Sequence, residues 1–76
     1  MQEQLQYLIG SGRPWAAERA QIALDMTGAF ERGELAESEY QELMADLIRS
    51  DKLNEEADDL DLKNLLVSCI MVAAKL

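Results

Sequence analysis

Apolar residues recur along this chain three and four positions apart, and no stretch alternates with period two between turn residues, so the pattern predicts helices and no strands. A first segment, Gln2 to Ile9, places Leu5, Leu8 and Ile9 at helical spacing before Gly10, Ser11 and Gly12 break it. Pro14 suits the first turn of a second helix, where its missing N–H removes no hydrogen bond. That helix is expected to run to about Arg32, with Gly33 as the left-handed residue that closes it. Along it, Trp15, Ile22, Met26 and Phe30 form one stripe, while Ala16, Ala20 and Ala23 form a small-residue flank that lets a neighbouring helix approach.

Leu35 reads as a hydrophobic latch in the following turn. Glu37, Ser38 and Glu39 open a third helix, where negative charge complements the helix dipole. Tyr40, Leu43, Met44, Leu47 and Ile48 then give the clearest amphipathic signature in the chain. After Arg49 and Ser50, residues Asp51 to Asn54 read as a connection, with Asn54 capping a last helix whose first turn holds Glu55 and Glu56. The first half of that helix is polar except for Ala57, Leu60 and Leu62, and the second half is apolar almost all the way round. Such a helix has to be buried on every side. The segment Leu65 to Leu76 is therefore expected either to form the centre of the bundle or to complete its burial in another chain. The predicted fold is a single all-α domain over residues 1–76, a small bundle of three to four helices with a hydrophobic C-terminal helix.

Size sharpens the question of burial. A chain of 76 residues buries only about 60% of its unfolded surface and is marginally stable without a supplement to its core. Cys69 is the single cysteine and there is no histidine, so neither an intrachain disulfide nor a zinc site is available. Oligomerisation or partner binding remains. Cys69 lies in the apolar run from Leu65 to Ala74 and reads as a buried thiol, since the nearest bases, Lys63 and Lys75, are each six residues away. That run would be about 15 Å long as a helix, half of what a membrane span requires. With no basic and apolar leader at the N-terminus, a cytoplasmic setting is the expectation.

The net charge of −8 is unevenly placed. Residues 1–33 carry four acids and three bases, residues 34–62 carry eleven acids and two bases, and residues 63–76 carry only two lysines. An acidic chain is poorly suited to direct nucleic-acid binding, because affinity for phosphate comes from lysine and arginine; Arg13 and Arg19, flanking Trp15, read as a local stacking arrangement. A basic-helix mode of membrane association is likewise not expected.

Asp58, Asp59 and Asp61 invite a calcium reading, but residues 51–62 place Leu53 at the third position, Glu56 where glycine belongs and Leu62 at the twelfth. The chain holds no nucleophile elbow, phosphate loop or dinucleotide fingerprint, and a short bundle offers little cleft for a carboxylate pair. No enzymatic activity, metal or cofactor is expected.

The segment Gly33-Glu34-Leu35-Ala36-Glu37-Ser38-Glu39-Tyr40, followed by Leu43 and Leu47, resembles the short helical hairpin called SHOCT, over residues 28–48. The chain departs from that pattern at Ala36, where a threonine or serine cap is usual, and in holding the hairpin at mid-chain. The resemblance implies a helical packing unit used in oligomerisation or protein contact, with no catalytic residues. In general type the chain is also similar to accessory proteins encoded by bacteriophages.

The expected function is non-enzymatic protein–protein interaction, as a homo-oligomer or a subunit of a larger assembly. Trp15, Ile22, Phe30, Tyr40, Leu66, Ile70 and Ala73 are the candidate apolar contacts. The alternative is an acidic DNA mimic that inhibits a basic nucleic-acid-binding protein, with Glu55, Glu56, Asp58, Asp59 and Asp61 as its surface.

Overall fold

The computed structural model describes residues 2–49 and 51–75, in five helical segments: α1 (Gln2–Ile9), α2 (Pro14–Glu31), α3 (Glu37–Arg49), α4 (Asp51–Glu56) and α5 (Leu60–Ala74). No strand occurs among the described residues, so the chain is all-α, with four helices of eight or more residues and one of six. Ser50 and Leu76, which fall in segments discussed above, lie outside the described residues.

The turns follow from their residues. Gly12 takes a φ of +80° after α1, and Pro14 opens α2. At the other end of α2, Gly33 adopts a φ of +77° while its N–H bonds Phe30 O at 3.0 Å and the Glu34 N–H bonds Ala29 O at 2.9 Å. Those two bonds form the Schellman closure that a left-handed glycine permits. At the start of α3 the expected departure at Ala36 has a visible consequence. Ala36 has no side-chain oxygen to cap the helix, yet Glu39 still reaches back to its N–H at 3.2 Å, so only one half of a capping box is made.

The chain between α3 and α5 differs from the sequence expectation. Asp51–Asn54 belongs to a six-residue helix, because Leu53 is driven into the core and is only 1% exposed. The cap of the last helix is Asp59, whose carboxylate accepts from Leu62 N at 3.1 Å. Asn54 instead accepts from Lys63 Nζ at 2.5 Å.

Hydrogen bonds fix the relative directions of the helices. Trp15, at the start of α2, donates Nε1–H to Asp58 just before α5, at 3.1 Å. At the far end, Thr27 Oγ1 lies 2.8 Å from the Tyr40 hydroxyl, which also reaches Ala73 O in the last turn of α5 at 3.3 Å. Helices α2 and α5 therefore run in the same direction, with α3 antiparallel to both. Gln41 adds a bond from Nε2 to Ala74 O at 3.0 Å, so α3 side chains supply partners to terminal carbonyls of α5. The ring of Tyr40 stacks on Phe30 with centroids 4.5 Å apart.

The core corrects the reading of α2. Ala16, Ala20 and Ala23 are fully buried, packed in one cluster with Leu5 and Leu8 of α1 and Leu66 and Ile70 of α5. The stripe of large residues flanks this seam: Trp15 is 6% exposed, Met26 and Phe30 are partly buried, and Ile22 is 45% exposed. Small residues occupy the centre because three helices converge on α2, and close approach of their axes leaves no room for larger side chains.

Helix α5 is buried on one side. Leu66, Cys69, Ile70 and Ala74 face the core, while Met71 and Val72 are 41% and 63% exposed. It lies against the other helices and is not enclosed by them, so the described part of the segment expected at the bundle centre is a wall of the bundle.

Candidate interaction surfaces

Among the described residues, large apolar side chains stand in water at Tyr7 on α1, at Leu60 at the start of α5, and on two faces where they share a concavity with polar neighbours. The first lies between α2 and α3 and ends on α4. It is an open groove of about 280 Å³ lined by Glu18, Arg19, Ile22, Asp46, Leu47, Lys52 and Glu56. Beside it, the exposed Leu43 shares a shallow surface with Glu39, Glu42 and Asp46. Both cations of the groove approach Glu56: Arg19 at 3.2 Å, with a second bond from its Nη1 to Trp15 O at 3.0 Å, and Lys52 at 3.7 Å. Glu18 and Asp46 bring further negative charge to the same rim.

The second face is the outer side of α5. Asp61, Asn64, Ser68, Met71, Val72 and Lys75 are all exposed. At 100° per residue, Asp61, Asn64 and Ser68 fall within about 60° of one another, with Met71 and Val72 flanking that line, and Lys75 follows the helix as its left-handed C-cap at a φ of +58°. Ser68, Met71, Val72 and Lys75 also share one shallow concavity. Between Asp61 and Lys75 this strip carries no charge.

Of the seven candidate apolar contacts, Leu66 and Ile70 are wholly buried within the single chain, and Tyr40 is 3% exposed. With Trp15 they belong to the core, where they are unavailable to a partner of the folded chain. Phe30 and Ala73 are half-buried, and Ile22 alone stands well exposed. Tyr7, Leu43, Leu60, Met71 and Val72 are exposed large apolar residues outside that candidate set.

The five candidate acids divide in a similar way. Glu56 pairs with Arg19 and Lys52, Asp58 pairs with Arg13 at 3.4 Å and accepts from Trp15, and Asp59 caps α5. Glu55 and Asp61 are exposed and make no ion pair among the described residues. A segment read as a uniform charge run is partly a set of local fastenings.

Cys69 is buried, its thiol 3.6 Å from Gln4 Oε1. Burial pushes its pKa above the usual thiol value, and the positive N-terminus opposes this only in part. The described residues contain no group of three or more histidine, cysteine, aspartate or glutamate side chains placed to hold a metal ion. No described helix is long and apolar enough to cross a membrane.

Fold and surfaces together define a small all-α bundle with an acidic groove on one side and a nearly uncharged helix face on another. In comparisons with protein-family models, curated proteins and solved structures, nothing matches this chain.

Proposed function

We propose that this protein is a non-enzymatic protein–protein interaction module, working through self-association or as a small subunit of a larger assembly. The observation that carries this reading is the placement of its exposed apolar residues. Ile22, Leu43, Met71 and Val72 are each more than 40% exposed and lie within well-formed helices, so their surface stays in water unless another chain covers it. Covering such surface is favourable by about 25 cal/mol per Å² before the costs of association.

The DNA-mimic alternative draws less support. A mimic needs a row of carboxylates available to a basic groove, and Glu56, Asp58 and Asp59 already have cationic or capping partners within the chain.

The reading is tested by charge substitutions on the two faces, Ile22→Asp and Val72→Asp, with circular dichroism to verify the fold. Wild-type chain should associate, with itself in sedimentation or with a defined set of host proteins on affinity capture, and at least one variant should lose that association while staying helical. A wild-type chain that sediments as a monomer and captures the same proteins as both variants would exclude the proposal.

A further inference from the structure

We infer that two copies of this chain meet through the outer faces of α5, paired antiparallel about a twofold axis at Ser68, with Asp61 of each copy against the partner's Lys75. This deepens the interaction reading and rests on it. Three features of the exposed strip specify a second copy as the occupant.

The first is charge complementarity. Asp61 and Lys75 each lie seven residues from Ser68, on opposite sides, so an antiparallel pairing centred there brings opposite charges together at both ends. Neither residue makes an ion pair within its own chain among the described residues. A parallel pairing would set Asp61 against the partner's Asp61 and Lys75 against the partner's Lys75, which is repulsive at both ends.

The second feature is side-chain size. Ser68 is small and exposed at the axis, where two helices come closest, and the same register sets Val72 beside the partner's Leu65 on one side of the axis and Met71 beside the partner's Asn64 on the other. Leu65 is itself half-buried, with surface left to cover. The third feature is the charge of the rest of the molecule. The groove and the shallow surface beside it hold five carboxylates, Glu18, Glu39, Glu42, Asp46 and Glu56, against the two cations Arg19 and Lys52, so that face disfavours its own copy, whereas the α5 strip has no acid between Asp61 and Lys75.

The contact is small. Helix α5 is about 22 Å long and about 10 Å wide, so a pair of such faces buries less than the roughly 1,200 Å² at which stable interfaces begin. The dimer is correspondingly weak and forms at a dissociation constant on the order of 100 µM. A twofold axis uses each pairing twice, so one substitution alters two contacts.

Sedimentation velocity of the full chain, from about 10 µM to about 1 mM, tests the pairing at concentrations that bracket this constant. Wild type should pass from monomer to dimer. Lys75→Glu alone and Asp61→Lys alone should each weaken the dimer by about tenfold or more, since each creates two like-charge contacts. An equimolar mixture of the two single variants should dimerise again. In the mixed pair the unchanged Asp61 of one copy meets the unchanged Lys75 of the other, and at the opposite end the two substituted side chains meet with opposite charges. Ser68→Arg, which does not touch the charged ends, should also abolish the dimer.

A wild-type chain that stays monomeric over the whole range overturns the pairing. So do variants that dimerise like wild type, or a mixture that fails to recover while both components remain helical. If this pairing fails but host-protein capture still depends on Ile22 or Val72, the interaction reading stands and only the self-association is lost. If capture is also unaffected, both fall.

Discussion

The groove between α2 and α3 and the outer face of α5 both expose apolar side chains, but they keep opposite company. Ile22 and Leu43 stand among five carboxylates, Glu18, Glu39, Glu42, Asp46 and Glu56, with the cations Arg19 and Lys52, whereas Met71 and Val72 share their concavity with Ser68 and Lys75 and with no carboxylate. Apolar exposure says that a surface can be covered, and the surrounding charge says by what. Carboxylates around the groove favour a cationic partner and disfavour a second acidic copy. The α5 strip lacks that barrier, and charge complementarity at its two ends is what would hold a copy in register.

The largest effect is expected where these two regions are joined. Tyr40 stacks on Phe30 of α2, contacts Thr27 through its hydroxyl and reaches Ala73 O of α5, so it ties the groove helices to the α5 wall. Tyr40→Ala should cost about 3–5 kcal/mol, by the precedent of large aromatic truncations in cores. A domain of this size has about 4–11 kcal/mol in total. Urea denaturation should show the midpoint collapse. Tyr40→Phe keeps the ring and removes only the hydroxyl, with an expected loss of about 1 kcal/mol. Equal losses in the two variants would mean that the hydroxyl bridge, and not the ring stack, joins the regions.

Much of this arrangement was legible in the sequence, and the exceptions share a cause. The bounds of α1, the proline start of α2 and its Gly33 closure were readable because one residue type has a near-unique conformational role at each. The cap of the last helix was not. Asn54 and Asp59 are both good caps followed by acids, and the choice between them is made at a distance, by the burial of Leu53 and the pairing of neighbouring Asp58 with Trp15 and Arg13.

The centre of α2 was ambiguous for a related reason. Periodicity marks both the alanine seam and the large stripe beside it, and only the convergence of α1, α3 and α5 decides that the small residues go inside. For the α5 surface a signal was present and outweighed. Asp61, Asn64, Ser68 and Lys75 form a polar line at spacings of three, four and seven, diluted by the apolar composition around it.

The turn before α3 offers a smaller effect, in the stabilising direction. Glu39 already bonds the Ala36 N–H, so a hydroxyl at residue 36 would complete the box. Ala36→Ser should raise stability by about 1 kcal/mol, read as a higher urea midpoint at unchanged slope. Since this turn sets the entry of α3 beside α2, the gain should leave association through α5 unaltered. A change in dimerisation with this variant would mean that the two surfaces are coupled through α3.

The finest distinction between the two faces is electrostatic, and salt can isolate it. Ile22→Lys places a cation four residues after Glu18 and three before Asp25 on α2, two favourable helical spacings worth about 0.2–0.5 kcal/mol each, against one unfavourable spacing to Arg19, whose charge is already engaged by Glu56. Val72→Lys places one three residues before Lys75, where repulsion by that lysine offsets the gain from a cation near the C-terminal end of a helix. Each variant also forfeits some apolar contact, but that loss does not depend on ionic strength in the millimolar range. The comparison therefore lies in the slope against salt. Relative to wild type, Ile22→Lys should lose a few tenths of a kcal/mol as exposed pairs are screened, within about 8 Å at physiological ionic strength. Val72→Lys should stay nearly flat. Measured at concentrations below dimer formation, parallel slopes for the two variants would show that the acidic groove and the α5 strip do not differ in local potential, and the assignment of different partners to them would lose its basis.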